Sequence, residues 1–156
     1  MRSESYSVRW QQRQRLFALL LLIPALLFVF RVLAQFIQLQ SHVSWLPEFS
    51  SWASGILSYD WLLALQVLIF IAMAFAIVRL ASGRVPRNLP VGRVIRIIGL
   101  IYFSIMLFRL IAGMAWLSEW HWFAASIPAL FHLVLASFLI LLGQLHVHHH
   151  NREEVS

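Results

Sequence analysis

Four long apolar runs, separated by short polar stretches, dominate this chain. They lie at 16–39, 61–80, 97–117 and 122–145. Each reaches the length of about 20 residues that an α-helix needs to cross a bilayer core. The pattern predicts an all-α polytopic membrane protein, a four-transmembrane-helix bundle. The first run is longer than a signal-peptide core and lacks a small-x-small cleavage pattern, so it is expected to be retained. Pro24 lies inside it and is expected to kink the helix, with neighbouring helices satisfying the freed carbonyl. Three regions follow: a basic cytoplasmic segment at 1–15, a single transmembrane domain at 16–145, and a His-rich cytoplasmic tail at 146–156.

The polar positions inside the runs are few and spaced as helices require. Arg31, Gln35 and Gln38 fall at i, i+4 and i+7, so they share one helical face. Such a stripe should turn away from lipid, toward the bundle or a wet crevice. In the second run, Ala64, Leu68, Ala72 and Ala76 form a row that predicts close approach of another helix. In the fourth, Ala125, Ala129, His132, Ala136 and Gly143 predict a small-residue packing seam that contains the histidine. The third run carries Arg109, an ionisable group at membrane depth, which is costly and marks function by default. Phe30-Arg31-Val32-Leu33-Ala34 matches Phe108-Arg109-Leu110-Ile111-Ala112 at its first, second and fifth positions. With Trp61 and Trp122 opening the second and fourth runs, this suggests a two-plus-two parallel repeat.

The connections differ in kind. Residues 41–59 contain no Arg. Trp45, Phe49, Trp52 and Ile56 are spaced there as on one helix face, behind Pro47 and Glu48. This predicts a short interfacial amphipathic helix, serving either as a plug over the bundle mouth or as a lipid sensor. Asp60 is expected to cap the second span. Residues 81–94 hold Gly83, Pro86, Pro90 and Gly92 and read as a loop, with Arg79, Arg84, Arg87, Arg93 and Arg96 in it or beside it. Residues 118–121 read as a tight turn.

Composition supports the membrane reading. The chain is 61% hydrophobic and 12% charged, about half the charged fraction of a soluble domain. All 12 basic residues are Arg. Apart from Arg31 and Arg109 they flank the runs at one end, which predicts both termini inside, in the inner (plasma) membrane of a bacterium. The pI of 11.3 is therefore assigned to anionic lipid at the cytoplasmic face and not to nucleic acid. A homo-oligomer or a membrane-protein partner is the further expectation. With no Cys, disulfides and thiolate chemistry are excluded.

Arg31, Gln35, Gln38, Arg109 and His132 are the candidate ligand-binding residues. At 1.5 Å per residue, Arg109 lies about 18 Å into the core, and no run contains an acidic partner. Either both guanidiniums snorkel outward, or they bind a lipophilic anion or carbonyl in the outer leaflet, such as a quinone, a lipid headgroup or a fatty acid. His132 suits a structural hydrogen bond, a quinone contact or a haem shared with another chain. His42, Asp60, Glu119 and His121 are metal-ligand types without a metal-site spacing, and the tail histidines at 146, 148, 149 and 150 are of the same kind. No cofactor follows from these residues, and no nucleophile with its base is apparent. The segment Arg109-Leu110-Ile111-Ala112-Gly113 resembles a piece of small four-helix families such as the DoxX-like membrane proteins. The resemblance spans five residues, lacks the glycine–lysine pattern that follows in that family, and carries no function or site residue. The leading expectation is a small non-enzymatic membrane protein that binds a lipophilic anion or lipid, or an accessory subunit of a membrane complex. A redox anchor contacting quinone or haem, and a small transporter, are the alternatives.

Overall fold

The apolar runs form helices in a computed structural model that describes residues 2–41, 43–52, 58–83, 88–117 and 119–147; for residues 2–11 and His121 the backbone alone is described. In chain order these are α1 (Arg2–Gln40), α2 (Phe49–Trp52), α3 (Tyr59–Ala81), α4 (Leu89–Ala115), α5 (His121–Ala124) and α6 (Ser126–Val147). There is no strand among the described residues. The stretches Gln12–Gln40, Tyr59–Ala81, Leu89–Ala115 and Ser126–Val147 are long and apolar enough to cross a membrane. The fold is an all-α bundle of four spanning helices, and the chain is an integral membrane protein.

Several boundaries differ from the sequence expectation, each for a local reason. The basic lead-in is no separate element, because α1 runs unbroken from Arg2 and continues through Pro24. The third span starts at Leu89, well before 97. The Asn88 side chain caps it by accepting from the Val91 N–H at 3.2 Å, and Pro90 sits in the first turn, where its missing N–H costs nothing. Arg93 and Arg96 are therefore helical. Ser58, not Asp60, is the N-cap of α3; Asp60 lies in its first turn. The fourth run is split at Ala125 into α5 and α6. Pro128 accounts for the break: it cannot donate to the carbonyl four residues back, and its ring would crowd that carbonyl, a conflict relieved here by placing it in the first turn of a new helix.

The chain passes up and down, so the turns divide into an Arg-rich end and a Trp-rich end. Trp45, Trp52, Trp61, Trp116, Trp120 and Trp122 all belong to the second. Packing is uneven among the four spans. The most extensive interface joins α4 to α6, and α1 packs against both α3 and α6. The α4–α6 seam rests on glycines. A Cβ on Gly143 would stand 2.6 Å from the Arg96 backbone nitrogen, and one on Gly99 would stand 2.9 Å from Ile140 Cγ1. The small-residue row of α6 thus does bring a helix close. The row Ala64, Leu68, Ala72 and Ala76 on α3 does not: its first three members are exposed, and α3 buries Gln66, Met73 and Leu80 instead. Those three lie seven residues apart, a better match to a straight helix face than a strict i+4 row, which drifts around the helix. Met73 and Leu80 meet the α1 stripe Ala18, Leu21, Ala25 and Phe28, with Phe138 and Leu145 from α6, in the main apolar core.

Candidate functional site

The polar stripe of α1 is buried. Arg31 is 6% exposed, Gln35 is fully buried, and Gln38 is buried as well. Each has a distinct partner at the Trp-rich end. Gln38 Oε1 accepts from the Val43 N–H at 3.1 Å and fixes the start of the first connection. Gln35 Oε1 accepts from Gln66 Nε2 at 3.2 Å, joining α1 to α3. Arg31 Nη2 donates to the Trp52 carbonyl at 3.2 Å. Its guanidinium lies 5.5 Å from the centre of the Phe131 ring.

The expected interfacial helix of the first connection is one turn, α2, as far as it is described; Ile56 lies outside the described residues. Trp45 is exposed as expected for an interface, but Trp52 is 3% exposed. Its ring stacks on Phe131 with centroids 6.2 Å apart, and its Nε1 donates to the Pro47 carbonyl at 3.0 Å. The described part of the connection packs onto the bundle through Leu46 and Trp52.

Arg109, only 2% exposed, is held by the same device in the other half. Its Nε and Nη2 donate to the Trp122 carbonyl at 3.0 and 2.7 Å, and its guanidinium sits 4.3 Å from the Trp122 ring centre. Gly113, one turn along α4, makes this possible. A Cβ there would collide with the Phe123 carbonyl, so only glycine lets the backbone of α5 come this near. Each half of the chain therefore contains a long helix with a buried arginine, a four-residue helix whose Trp carbonyl receives that arginine, and a second span. In both halves the acceptors are peptide carbonyls, so among the described residues each charge is met by dipoles and aromatic rings and not by a carboxylate.

The two arginines are not used alike. Arg109 has its whole Nε–Nη2 edge on one carbonyl. Among the described residues, Arg31 has only Nη2 so occupied, and its Nε is buried without a partner. Arg31 also borders a cavity of about 190 Å³, whose wall includes Trp52, Gln66, Phe131 and His132. Gln66 Oε1 is the second buried polar atom without a partner there. The Tyr102 hydroxyl, from α4, is hydrogen-bonded to His132 Nδ1. When the hydroxyl donates, the neutral ring carries its proton on Nε2 and presents a donor there.

The sequence-derived set is thus only partly brought together. Arg31 and His132 share the cavity wall. Gln35 stands behind it through Gln66, Gln38 serves the loop, and Arg109 is engaged with Trp122. Gln66 was missed, although it is the one uncharged polar side chain in the run 61–80. Tyr102 was missed too, because a tyrosine in an apolar run gives no pattern signal. Of the metal-ligand types, Asp60 and Glu119 are exposed, while His42 and the His121 side chain lie outside the described residues, as do the tail histidines at 148–150. Among the described residues no three such groups come together.

The chain matches no known protein family, no curated protein and no solved structure.

Proposed function

We propose that the protein holds a lipophilic anion within the membrane, in the cavity between α1, α3 and α6. Arg31 neutralises the ligand, and Gln66 and His132 orient it. Gln35 and Tyr102 support those two side chains from behind, and Trp52 covers the site. The observation that carries this reading is the buried Arg31 Nε: a charged donor without a partner among the described residues, at the wall of a mostly apolar cavity that also presents Gln66 and His132. Leaving such a group unpaired costs several kcal/mol in a medium without water, and an anionic acceptor removes that cost. The Arg-rich end supports an orientation with both termini cytoplasmic, in a bacterial inner membrane. The cavity then opens toward the outer leaflet, with anionic lipid bound at the opposite face. The role is one of holding and presenting a ligand, alone or as an accessory subunit.

Native mass spectrometry of protein released from mild detergent tests this, with an absorption spectrum on the same sample. A retained small anion that disappears in Arg31→Gln is the expected result. Retention unchanged by that substitution refutes the site, and a visible absorption band from bound haem or a quinone spectrum would move the reading to the redox class.

A further inference from the structure

The cavity does not stand alone. A second space of about 190 Å³ lies against the α1–α3 seam, lined by Phe28, Val29, Val32, Leu33, Gln66, Val67 and Phe70. It shares Phe28 and Gln66 with the cavity at Arg31. Its lining is apolar except for Gln66, and Leu33, Val67 and Phe70 are exposed on the outside of the helix pair. Head space and groove thus meet at two side chains. Each is smaller than the roughly 300–1,000 Å³ of a typical drug-sized ligand site.

Two features of the head space narrow the chemistry. The first is the half-used edge of Arg31. Nε and Nη2 form the edge of a guanidinium that binds a carboxylate bidentately. Here Nη2 is on a neutral peptide carbonyl at 3.2 Å, a long bond for a charged donor, and Nε has no partner among the described residues. In Arg109 the same edge is closed. The second is charge. One guanidinium matches a monoanion, and no Asp or Glu occurs deeper in the spans than the first turn of α3. A narrow apolar groove that adjoins a small head space suits one chain, not two.

From this juxtaposition we infer that the ligand is a single-chain carboxylate amphiphile, of fatty-acid type, reaching the site sideways from the bilayer between α1 and α3. The carboxylate takes the Nε–Nη2 edge of Arg31 and displaces the Trp52 carbonyl from Nη2. The chain passes between Phe28 and Gln66 and lies along the groove of Val29, Val32, Val67 and Phe70. His132 donates to the second carboxylate oxygen. The inference rests on the anion-binding reading above and adds the class of ligand and its direction.

The test uses the chain in phosphatidylcholine nanodiscs and three probes: hexadecanoate, hexadecanol and dipalmitoyl phosphatidate. The expected result is retention of hexadecanoate at least tenfold stronger than of either other probe, with that preference lost in Arg31→Gln. A hexadecanoate with a photoreactive diazirine midway along its chain is expected to label 28–33 and 66–70. Val67→Trp, which fills the groove without touching Arg31, is expected to weaken hexadecanoate retention at least tenfold. Equal retention of hexadecanol overturns the inference without needing any variant. So does labelling confined to α4 and α6. Phosphatidate retained in an Arg31-dependent manner in preference to hexadecanoate overturns the ligand class and leaves the anion site standing. No Arg31-dependent retention of any anion overturns both.

Discussion

Gly113→Ala isolates the device that holds Arg109. Judged by helix propensity alone, the change should stabilise α4 by about 1 kcal/mol, because alanine is the better helix former. The structure reverses the sign. The new methyl would collide with the Phe123 carbonyl oxygen and stand 2.8 Å from its carbon. These are backbone atoms, so no rotamer change relieves the contact, and α5 must move out toward an ordinary separation. A shift on the order of 1 Å stretches the 2.7 and 3.0 Å bonds from Arg109 to the Trp122 carbonyl beyond useful length. Overpacking costs about 1–3 kcal/mol, and a hydrogen bond to a charged group is worth about 1.5–3 kcal/mol. After the propensity gain, the net loss is about 1.5–5 kcal/mol, which lowers the folded-to-unfolded ratio by about 10- to 5,000-fold. Reversible unfolding in mixed micelles, followed by tryptophan fluorescence, measures it. If the methyl acts through Arg109, Arg109→Leu and Gly113→Ala together cost less than the sum of their separate effects. A Gly113→Ala protein as stable as the wild type refutes the argument, and strict additivity with Arg109→Leu refutes the coupling.

The other expectations concern the remaining contacts of the site. Arg109→Leu leaves the Trp122 carbonyl without its donor and is expected to cost about 1–3 kcal/mol, with Arg31-dependent ligand retention kept in the folded fraction; loss of retention there would assign Arg109 to the ligand. Gln38→Ala removes the acceptor of the Val43 N–H, so amide exchange at Val43 is expected to speed up while the α4–α6 seam keeps its protection, as hydrogen-exchange mass spectrometry would show. Tyr102→Phe removes the partner of His132 Nδ1. It is expected to cost about 1 kcal/mol and to shift the His132 ring resonances in an NMR spectrum; an unchanged ring signal would place the bond elsewhere.

The spans were legible because bilayer thickness fixes their length and composition, and both survive in sequence as plain hydropathy. The burial of Arg31, Gln35 and Gln38 was legible for a related reason: three polar groups on one face of an apolar helix have no acceptable place in lipid. What they bond to was not legible. The acceptors of both arginines are backbone carbonyls, and every residue has one, so no residue type marks Trp52 or Trp122 as the partner. The row Ala64, Leu68, Ala72 and Ala76 misled because small residues permit close approach without requiring it; α3 turned Gln66 inward instead, where Gln35 could meet its amide. The break at Ala125 was written in Pro128, which reads equally as a kink inside one helix or as the first turn of a new one.

The uneven packing has a consequence for how the protein is made. Helices enter the membrane in the order of synthesis, so α1 and α3 arrive before α4 and α6. Yet α1 has a face that fits α6, and the tightest seam, through Gly99 and Gly143, lies entirely in the later half. The first half therefore reaches the bilayer with Arg31 and its glutamine stripe still short of a wall. Phe131 and His132, which complete that wall, belong to α6, which emerges after α1, α3 and α4. The arginine site is completed only once α6 has arrived, and a chain stopped before α6 would leave that wall open.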